Sequence, residues 1–312
     1  MTTIPNKFRR VTRRLGSAVG AAVILGACGG AGSGGGAGGG GGIQVVAAEN
    51  FWGSIASQVG ASRVNVVSII SNPDTDPHAY EPTPQDARAI AQAQYVIANG
   101  AGYDPWAAKL VDANPSATRR VLTIADVAGR KDGDNPHMWY SPTIVGRAID
   151  RIASDLGGLD PARAGSFDQQ AAAFKSNGLG RYTGLLASIK SSYSGVPVGA
   201  TESIFIDLAQ ELGLDLVTPR EYMKAISSGN DPTAGDRSTV DAQISERRIR
   251  VLVFNRQNST SDVQAVLDRA KSQGIPVVAI TETLEPATAT FQDWQVGQLD
   301  ALRTALAQAT GR

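Results

Sequence analysis

The chain of 312 residues is poor in the side chains that most often carry chemistry, with one cysteine and two histidines. A lone cysteine excludes an internal disulfide, so the fold must hold without a covalent cross-link. Basic and acidic residues balance at 29 each, and no basic run occurs, which argues against a nucleic-acid partner. Beyond residue 28 no apolar stretch is long enough to span a membrane.

The N-terminus is typical of a secretory signal. A basic start (residues 7–14) precedes a small and apolar run, Leu15–Ala27, that ends in "LGAC" (25–28). This ending resembles a bacterial lipoprotein box, so we expect a signal peptide over 1–27 and a lipid on the sulfur of Cys28. The alternative for Cys28 is a buried free thiol. Lipidation predicts a cell-envelope protein, periplasmic or anchored to the outer face of the cytoplasmic membrane.

Residues 28–42 are predicted to form the lipidated cysteine and a glycine-rich tether. Segment 29–42 reads "GGAGSGGGAGGGGG", in which no side chain can bury surface. The signal holds five basic residues and no acid, so its removal leaves 29 − 5 = 24 basic against 29 acidic residues. The mature chain is therefore acidic by about five charges.

The rest of the chain alternates short β-branched runs with segments of helical periodicity, which favours parallel sheets covered by helices. We predict an α/β protein of two lobes, each with a parallel sheet, joined by one long helix and separated by a cleft. The predicted boundaries are an N-terminal lobe over 43–158, the long linking helix over 159–193 and a C-terminal lobe over 194–312. The predicted strands are 43–48, 64–70, 95–100, 119–126, 196–201, 214–219, 250–255 and 275–281.

Both histidines follow a proline in a polar loop. His78 lies in "PDTDPHAYEPTPQD" (73–86) and His137 in "NPHMWYSP" (135–142). Proline stiffens such loops, and a stiff loop suits a metal ligand as well as a purely structural turn. The separation of the two histidines matches no short zinc signature, so the residues alone leave both interpretations open.

These two histidine motifs resemble those of the solute-binding lipoproteins of metal-ion ABC importers, the ZnuA/TroA-like zinc and manganese receptors. The resemblance covers Ile43–Arg312 and includes the lipoprotein box and the strand–helix order. It implies four protein ligands in the interlobe cleft. His78 and His137 match the first two, Glu202 in "VGATESIFIDLAQELGL" (198–214) the third, and Glu282 in "IPVVAITETLEP" (275–286) the fourth, with Glu285 as its substitute.

Taken alone, the two acids have simpler interpretations. Glu202 could be an acid at the start of a helix, stabilised by the helix dipole, and Glu282 a solvated loop acid. Their register with the family motif favours ligation instead. The chain departs from the family at Glu282, where an aspartate is usual, and at Ser141, where an aspartate that could accept a hydrogen bond from a ligand imidazole is often found.

The resemblance implies an extracytoplasmic receptor, not an enzyme, that captures Zn²⁺ or Mn²⁺, with Fe²⁺ as a further candidate, and delivers it to an ABC permease with its ATPase. We expect a monomer held at the membrane through Cys28. Two imidazoles and two carboxylates without a thiolate disfavour copper(I). Two other classes remain: a metal-binding surface adhesin and a zinc hydrolase, which would need three ligands and an open water position.

Overall fold

The computed structural model describes residues 41–73, 75 and 80–312, so Cys28 and His78 lie outside the described residues. Residues Gly41–Arg312 form one compact unit. Within the described part of the chain, no helix combines the length and the apolar character needed to cross a membrane.

The described strands form two four-stranded parallel sheets, which confirms the predicted α/β architecture. The first sheet has the order β2-β1-β3-β4 and the second has the order β6-β5-β7-β8. The strands are β1 (Ile43–Glu49), β2 (Val64–Ile70), β3 (Tyr95–Ala98), β4 (Arg120–Thr123), β5 (Pro197–Ala200), β6 (Asp215–Leu216), β7 (Val251–Asn255) and β8 (Val277–Ile280).

Helices connect and cover these strands. They are α1 (Asn50–Gly60), α2 (Pro84–Gln92), α3 (Pro105–Ala113), α4 (Ile124–Ala128), α5 (Pro142–Leu159), α6 (Ala164–Ala173), α7 (Gly180–Tyr193), α8 (Ile206–Leu212), α9 (Arg220–Ser227), α10 (Ala234–Ser245), α11 (Ser261–Ser272) and α12 (Phe291–Thr310).

Each sheet reverses its strand order at one place, between β1 and β3 in the first and between β5 and β7 in the second. In open parallel sheets such a reversal opens a crevice outside the carboxyl ends of the strands, where ligands bind. The segments that follow β1 and β3, and those that follow β5 and β7, are therefore placed to line these two crevices.

The segment predicted as one long helix, 159–193, is divided. Helix α6 ends at Ala173, a π-helical turn covers Phe174–Gly178, and α7 begins at Gly180. The ring of Phe174 lies over Gly178, where an added Cβ would come within 2.4 Å of it, so the turn depends on that glycine. Glycine disfavours a regular helix, which explains the interruption.

One hydrophobic core runs through both sheets and includes buried residues from Ile43 to Leu306. The aromatic side chain of Phe51 on α1 lies 4.2 Å from the ring of Trp139 and 6.3 Å from that of Trp294 on α12, measured between ring centroids. We call these three rings the aromatic seam. Its three buried rings pack residues of the first lobe against α12 of the second.

Candidate metal centre

His137 is wholly buried at the start of a short 3₁₀ turn, Met138–Tyr140. Its Nδ1 lies 2.7 Å from Asn135 Oδ1. An amide oxygen can only accept a hydrogen bond, so Nδ1 of the neutral ring carries the proton and Nε2 carries the lone pair. A histidine that binds a metal through Nε2 needs this tautomer.

Side chains at the end of β3 hold the His137 loop in place. Asn99 Nδ2 donates to the carbonyl of Pro136 at 2.9 Å, and Trp52 Nε1 donates to Asn99 Oδ1 at 3.0 Å. The indole of Trp139 meets the His137 ring edge-on, with 5.3 Å between centroids. The loop is therefore braced by both polar contacts and aromatic packing.

Glu202 follows β5 and is 1% exposed. Its Oε2 accepts a hydrogen bond from Asn258 Nδ2 at 2.9 Å and a longer one from Ser227 Oγ at 3.5 Å. The side chain makes no capping bond to the 3₁₀ helix that begins after it. Glu202 thus lies at the start of a short helix, as its simpler interpretation expects, but its carboxylate is directed to side-chain donors.

Glu282 follows β8 and is also 1% exposed, so it is not a solvated loop acid. Tyr103 Oη donates to its Oε2 at 2.7 Å, and Asn255 Nδ2 donates to its Oε1 at 2.5 Å. Burial, followed by the nearby Glu282 charge, raises the pKa of Tyr103, which keeps the phenol in its donating form. The donor Tyr103 comes from the first lobe and Asn255 from the second.

Glu285, the substitute for Glu282, has a different environment. It is partly exposed and forms an ion pair with Arg256, whose Nη2 lies 2.5 Å from its Oε1. A surface ion pair of this kind contributes little to stability and leaves no reason to expect ligation. The buried position therefore favours Glu282 as the fourth ligand.

A second buried carboxyl pair, Glu49 and Asp104, lies near the candidate ligands. Asp104 accepts hydrogen bonds from the backbone N–H groups of Asn99 and Gly100, both at 2.7 Å. The Glu49 side chain is wholly buried, and its carboxyl lies beside that of Asp104. Two carboxyls bond only through a shared proton, and burial, then the Asp104 charge, raises the pKa of Glu49 well above its ordinary value.

Neighbouring residues connect His137 with the surroundings of Glu202 and Glu282. Ser203, next to Glu202, has its Oγ 3.5 Å from His137 Nδ1, and the ring of Tyr103, which binds Glu282, lies 6.2 Å from that of His137. Among the described residues, however, no three His, Cys, Asp or Glu side chains are close enough to hold a metal ion. The fourth predicted ligand, His78, lies outside the described residues.

A cavity of about 390 Å³ lies beside this crevice, between the two lobes. Its walls include Asn135, Ser203 and Ser227, the same side chains that contact His137 and Glu202. Arg220 and Lys224 on α9 line its outer part. The side chains that contact His137 and Glu202 therefore line a cavity that is large enough to hold water.

The sequence analysis missed the amide side chains around this site. Asn135 accepts from the imidazole, Asn255 and Asn258 donate to the two carboxylates, and Gln257 accepts from the Glu282 N–H, yet none was predicted. The last three belong to the run "NRQN" (255–258) directly after the buried strand β7. Three amide side chains at the carboxyl end of a buried parallel strand are the signal that could have identified them. Ser141 instead caps α5, where its Oγ accepts from Ile144 N.

Comparison with known families gives a match over most of the chain. Residues 45–305 match the family model described as zinc-uptake complex component A, periplasmic. A manganese-binding lipoprotein of Halalkalibacterium halodurans is 28% identical over 140 residues, which cover 43% of this chain and 45% of that protein. The manganese ABC transporter substrate-binding lipoprotein of Streptococcus pneumoniae is 22% identical over 258 residues, 76% of this chain and 78% of that protein.

Solved structures agree on the fold. The manganese-bound periplasmic metal-binding protein of Candidatus Liberibacter asiaticus superposes with a TM-score of 0.69, at 19% identity, over 84% of this chain and 98% of that one. At this identity the likeness supports the architecture of two sheets, and the chemistry rests on the side chains described above.

Proposed function

Because this chain belongs to the family of periplasmic zinc-uptake component A proteins, we propose that it is the solute-binding receptor of a metal ABC importer. It captures one divalent transition metal, Zn²⁺ or Mn²⁺, outside the cytoplasm and delivers it to the permease and its ATPase. The family is one of substrate-binding receptors, and the names of the relatives favour this role over an adhesin or a hydrolase.

The observation that carries the proposal is the wholly buried His137, whose Nδ1 proton is directed to Asn135 Oδ1 at 2.7 Å. A buried imidazole in this tautomer presents Nε2 as a ligand, and Ser203, next to Glu202, and Tyr103, which donates to Glu282, both lie beside it. We propose His78, His137, Glu202 and Glu282 as the ligands. Two neutral imidazoles and two carboxylates cancel the charge of a divalent cation, which lowers the cost of burying it.

The chemistry of this ligand set narrows the cargo without choosing one metal. Imidazole and carboxylate ligands suit Zn²⁺, Mn²⁺ and Fe²⁺, whereas the lack of a thiolate disfavours copper(I). Affinity for such a site rises from Mn²⁺ to Zn²⁺, so the tightest metal in a test tube need not be the one carried in the cell.

Location in the cell follows from the N-terminus. We propose that Cys28 carries the lipid and that residues 28–42 tether the metal-binding part to the outer face of the cytoplasmic membrane. The metal-binding part acts as a monomer, and its cargo is released to the permease.

The test is titration of metal-stripped protein with Zn²⁺ and Mn²⁺, using residues 41–312, which form one compact unit. One-to-one binding with a large rise in melting temperature is expected, because a ligand of the folded state alone stabilises it. His78→Ala and His137→Ala should each weaken binding by orders of magnitude while the metal-free protein stays folded. Unchanged affinity in both variants would refute the site.

A further inference from the structure

Gln257 lies two residues beyond β7, half-buried, and its side-chain oxygen accepts two backbone hydrogen bonds. Oε1 accepts from the N–H of Glu282 at 2.7 Å and from that of Thr283 at 3.0 Å. Since backbone N–H groups only donate, these two contacts fix the orientation of the amide, with Nε2 on the other side.

The Nε2 group of Gln257 reaches the other lobe. It donates to the carbonyl of Thr75 at 3.0 Å and to Thr283 Oγ1 at 3.1 Å. Thr75 belongs to the loop after β2 and precedes His78 by three residues in the sequence. One amide therefore joins the segment that carries His78 to the peptide that carries Glu282.

The residues around Gln257 hold both carboxylates. The N–H of Gln257 donates to Asn255 Oδ1 at 3.0 Å, while Asn255 Nδ2 donates to Glu282. Asn258, the next residue, donates to Glu202. A displacement of Gln257 would thus move Glu282 by two routes. One is the hydrogen bond from the Glu282 N–H to Gln257 Oε1, and the other runs through Asn255.

We propose that Gln257 is a positioning residue of the metal centre: it ties Thr75 of the first lobe to the Glu282 peptide of the second, and so holds Glu282 in place before the metal arrives. Gln257 touches the backbone on both sides and is not itself a ligand. This inference rests on the proposed function, since it takes Glu282 as a ligand.

A hydrogen bond that only holds the two lobes together should not change metal affinity. The chain offers a matched control of this kind. Gln58 on α1 and Gln292 on α12 exchange two side-chain hydrogen bonds, at 3.0 Å and 2.8 Å. This pair also joins the two lobes through amide groups, but among the described residues it contacts none of the candidate ligands. Gln58→Ala therefore removes interlobe adhesion and leaves the site alone.

The experiment compares Gln257→Ala, Gln257→Glu and Gln58→Ala in the chain 41–312. Zn²⁺ and Mn²⁺ affinities and dissociation rates are measured, together with amide hydrogen exchange of the metal-free proteins. Gln257→Ala should weaken binding about tenfold or more, mainly through faster dissociation, because preorganisation of the ligands is lost. Gln58→Ala should stay within about twofold of the wild type.

Hydrogen exchange tests separately the contacts of Gln257 Oε1 and those of Gln257 Nε2. A glutamate at 257 still accepts from the Glu282 and Thr283 amides but cannot donate to the Thr75 carbonyl. Gln257→Glu should therefore speed exchange around Thr75 only, whereas Gln257→Ala should speed it around Thr75 and at residues 282–283. Gln58→Ala should change neither region.

Two results would overturn the proposal: Gln257→Ala with wild-type affinity, or equal weakening by Gln257→Ala and Gln58→Ala. Failure of the proposed function would look different, since the wild type itself would then bind neither metal. In that case the exchange measurements still decide whether Gln257 joins the two loops, and unaltered exchange around Thr75 in Gln257→Ala would refute that link.

Discussion

Tyr103 Oη donates a 2.7 Å hydrogen bond to Glu282 Oε2, and this bond joins the loop after β3 in the first lobe to the segment after β8 in the second. Both side chains are buried, so water cannot replace the phenol when it is lost. Among the described residues, Glu282 thus accepts from a donor of each lobe, Tyr103 and Asn255.

Replacing Tyr103 by phenylalanine should destabilise the metal-free protein by about 1–3 kcal/mol, the cost of leaving a buried carboxylate oxygen without its donor. Chemical denaturation of the metal-free proteins measures this. Tyr80→Phe is a matched control, because the Tyr80 hydroxyl donates to Asp86 at 2.8 Å outside the candidate ligand set. A loss in Tyr103→Phe no greater than in the control would contradict the role given to this bond.

Removing the charge of Glu282 should greatly reduce metal affinity, whereas removing that of Glu285 should hardly change it. Glu282→Gln should reduce metal affinity by more than the roughly 10–100-fold that loss of an outer partner costs, because a ligand charge disappears. Glu285→Gln should leave affinity within about twofold, since it removes only an exposed ion pair with Arg256. Titration with Mn²⁺ and Zn²⁺ separates the two, and a large loss in Glu285→Gln alone would move the fourth ligand there.

Asn135 should matter for affinity and Ser141 for stability. Asn135→Ala removes the acceptor that holds His137 in its ligand tautomer and should weaken metal binding about 10–100-fold. Ser141→Ala removes the Oγ contact with Ile144 N at the start of α5, which costs about 1 kcal/mol of stability without changing affinity. Melting curves and titrations of both variants provide the check. Equal affinities in the two variants would show that Asn135 does not orient the imidazole.

Glu49 should make the metal-free protein less stable as the pH rises. The folded-state pKa of Glu49 is raised, first by burial and then by the Asp104 charge, so the folded chain keeps a proton that the unfolded chain loses above about pH 4.3. The stability contributed by that proton is fully present below the unfolded pKa and is lost as the pH rises towards the folded pKa.

Glu49→Gln mimics the protonated acid and should be close to neutral at pH 5 and stabilising at pH 8. Denaturation of metal-free protein between these values gives the comparison. Glu246→Gln serves as the control, because Glu246 is an exposed partner of Arg248. The same pH slope in Glu49→Gln and wild type would mean that the Glu49–Asp104 pair holds no extra proton.

Much of the fold could be predicted from the sequence because its strands appear as short β-branched runs that alternate with segments of helical periodicity. Segments such as 64–70 and 250–255 were placed within a residue or two of β2 and β7. The division of the central helical segment was not predicted, although Gly178, over which the Phe174 ring packs, disfavours a regular helix there. Helix α9 was also missed, because it is short and polar outside its buried Tyr222, Met223 and Ile226.

The candidate ligands Glu202 and Glu282 were predicted from the resemblance to the family motif and not from the local sequence around them. Glu202 and Glu282 each look like an ordinary surface acid in the sequence, and their burial depends on long-range packing that no local pattern shows. The amide donors that hold them, Asn255 and Asn258, have the same limitation: their role exists only because β7 ends beside β5 and β8.

The aromatic seam makes the two sheets a single cooperative unit. Because Phe51 of the first lobe packs against Trp139 and against Trp294 on the C-terminal helix, neither sheet keeps a complete core when the other unfolds. Local openings of one lobe alone are therefore costly, and the whole of 41–312 should unfold in one transition. A metal ion bound at the crevice would then protect distant amides in both sheets by the same free energy that it contributes at its ligands.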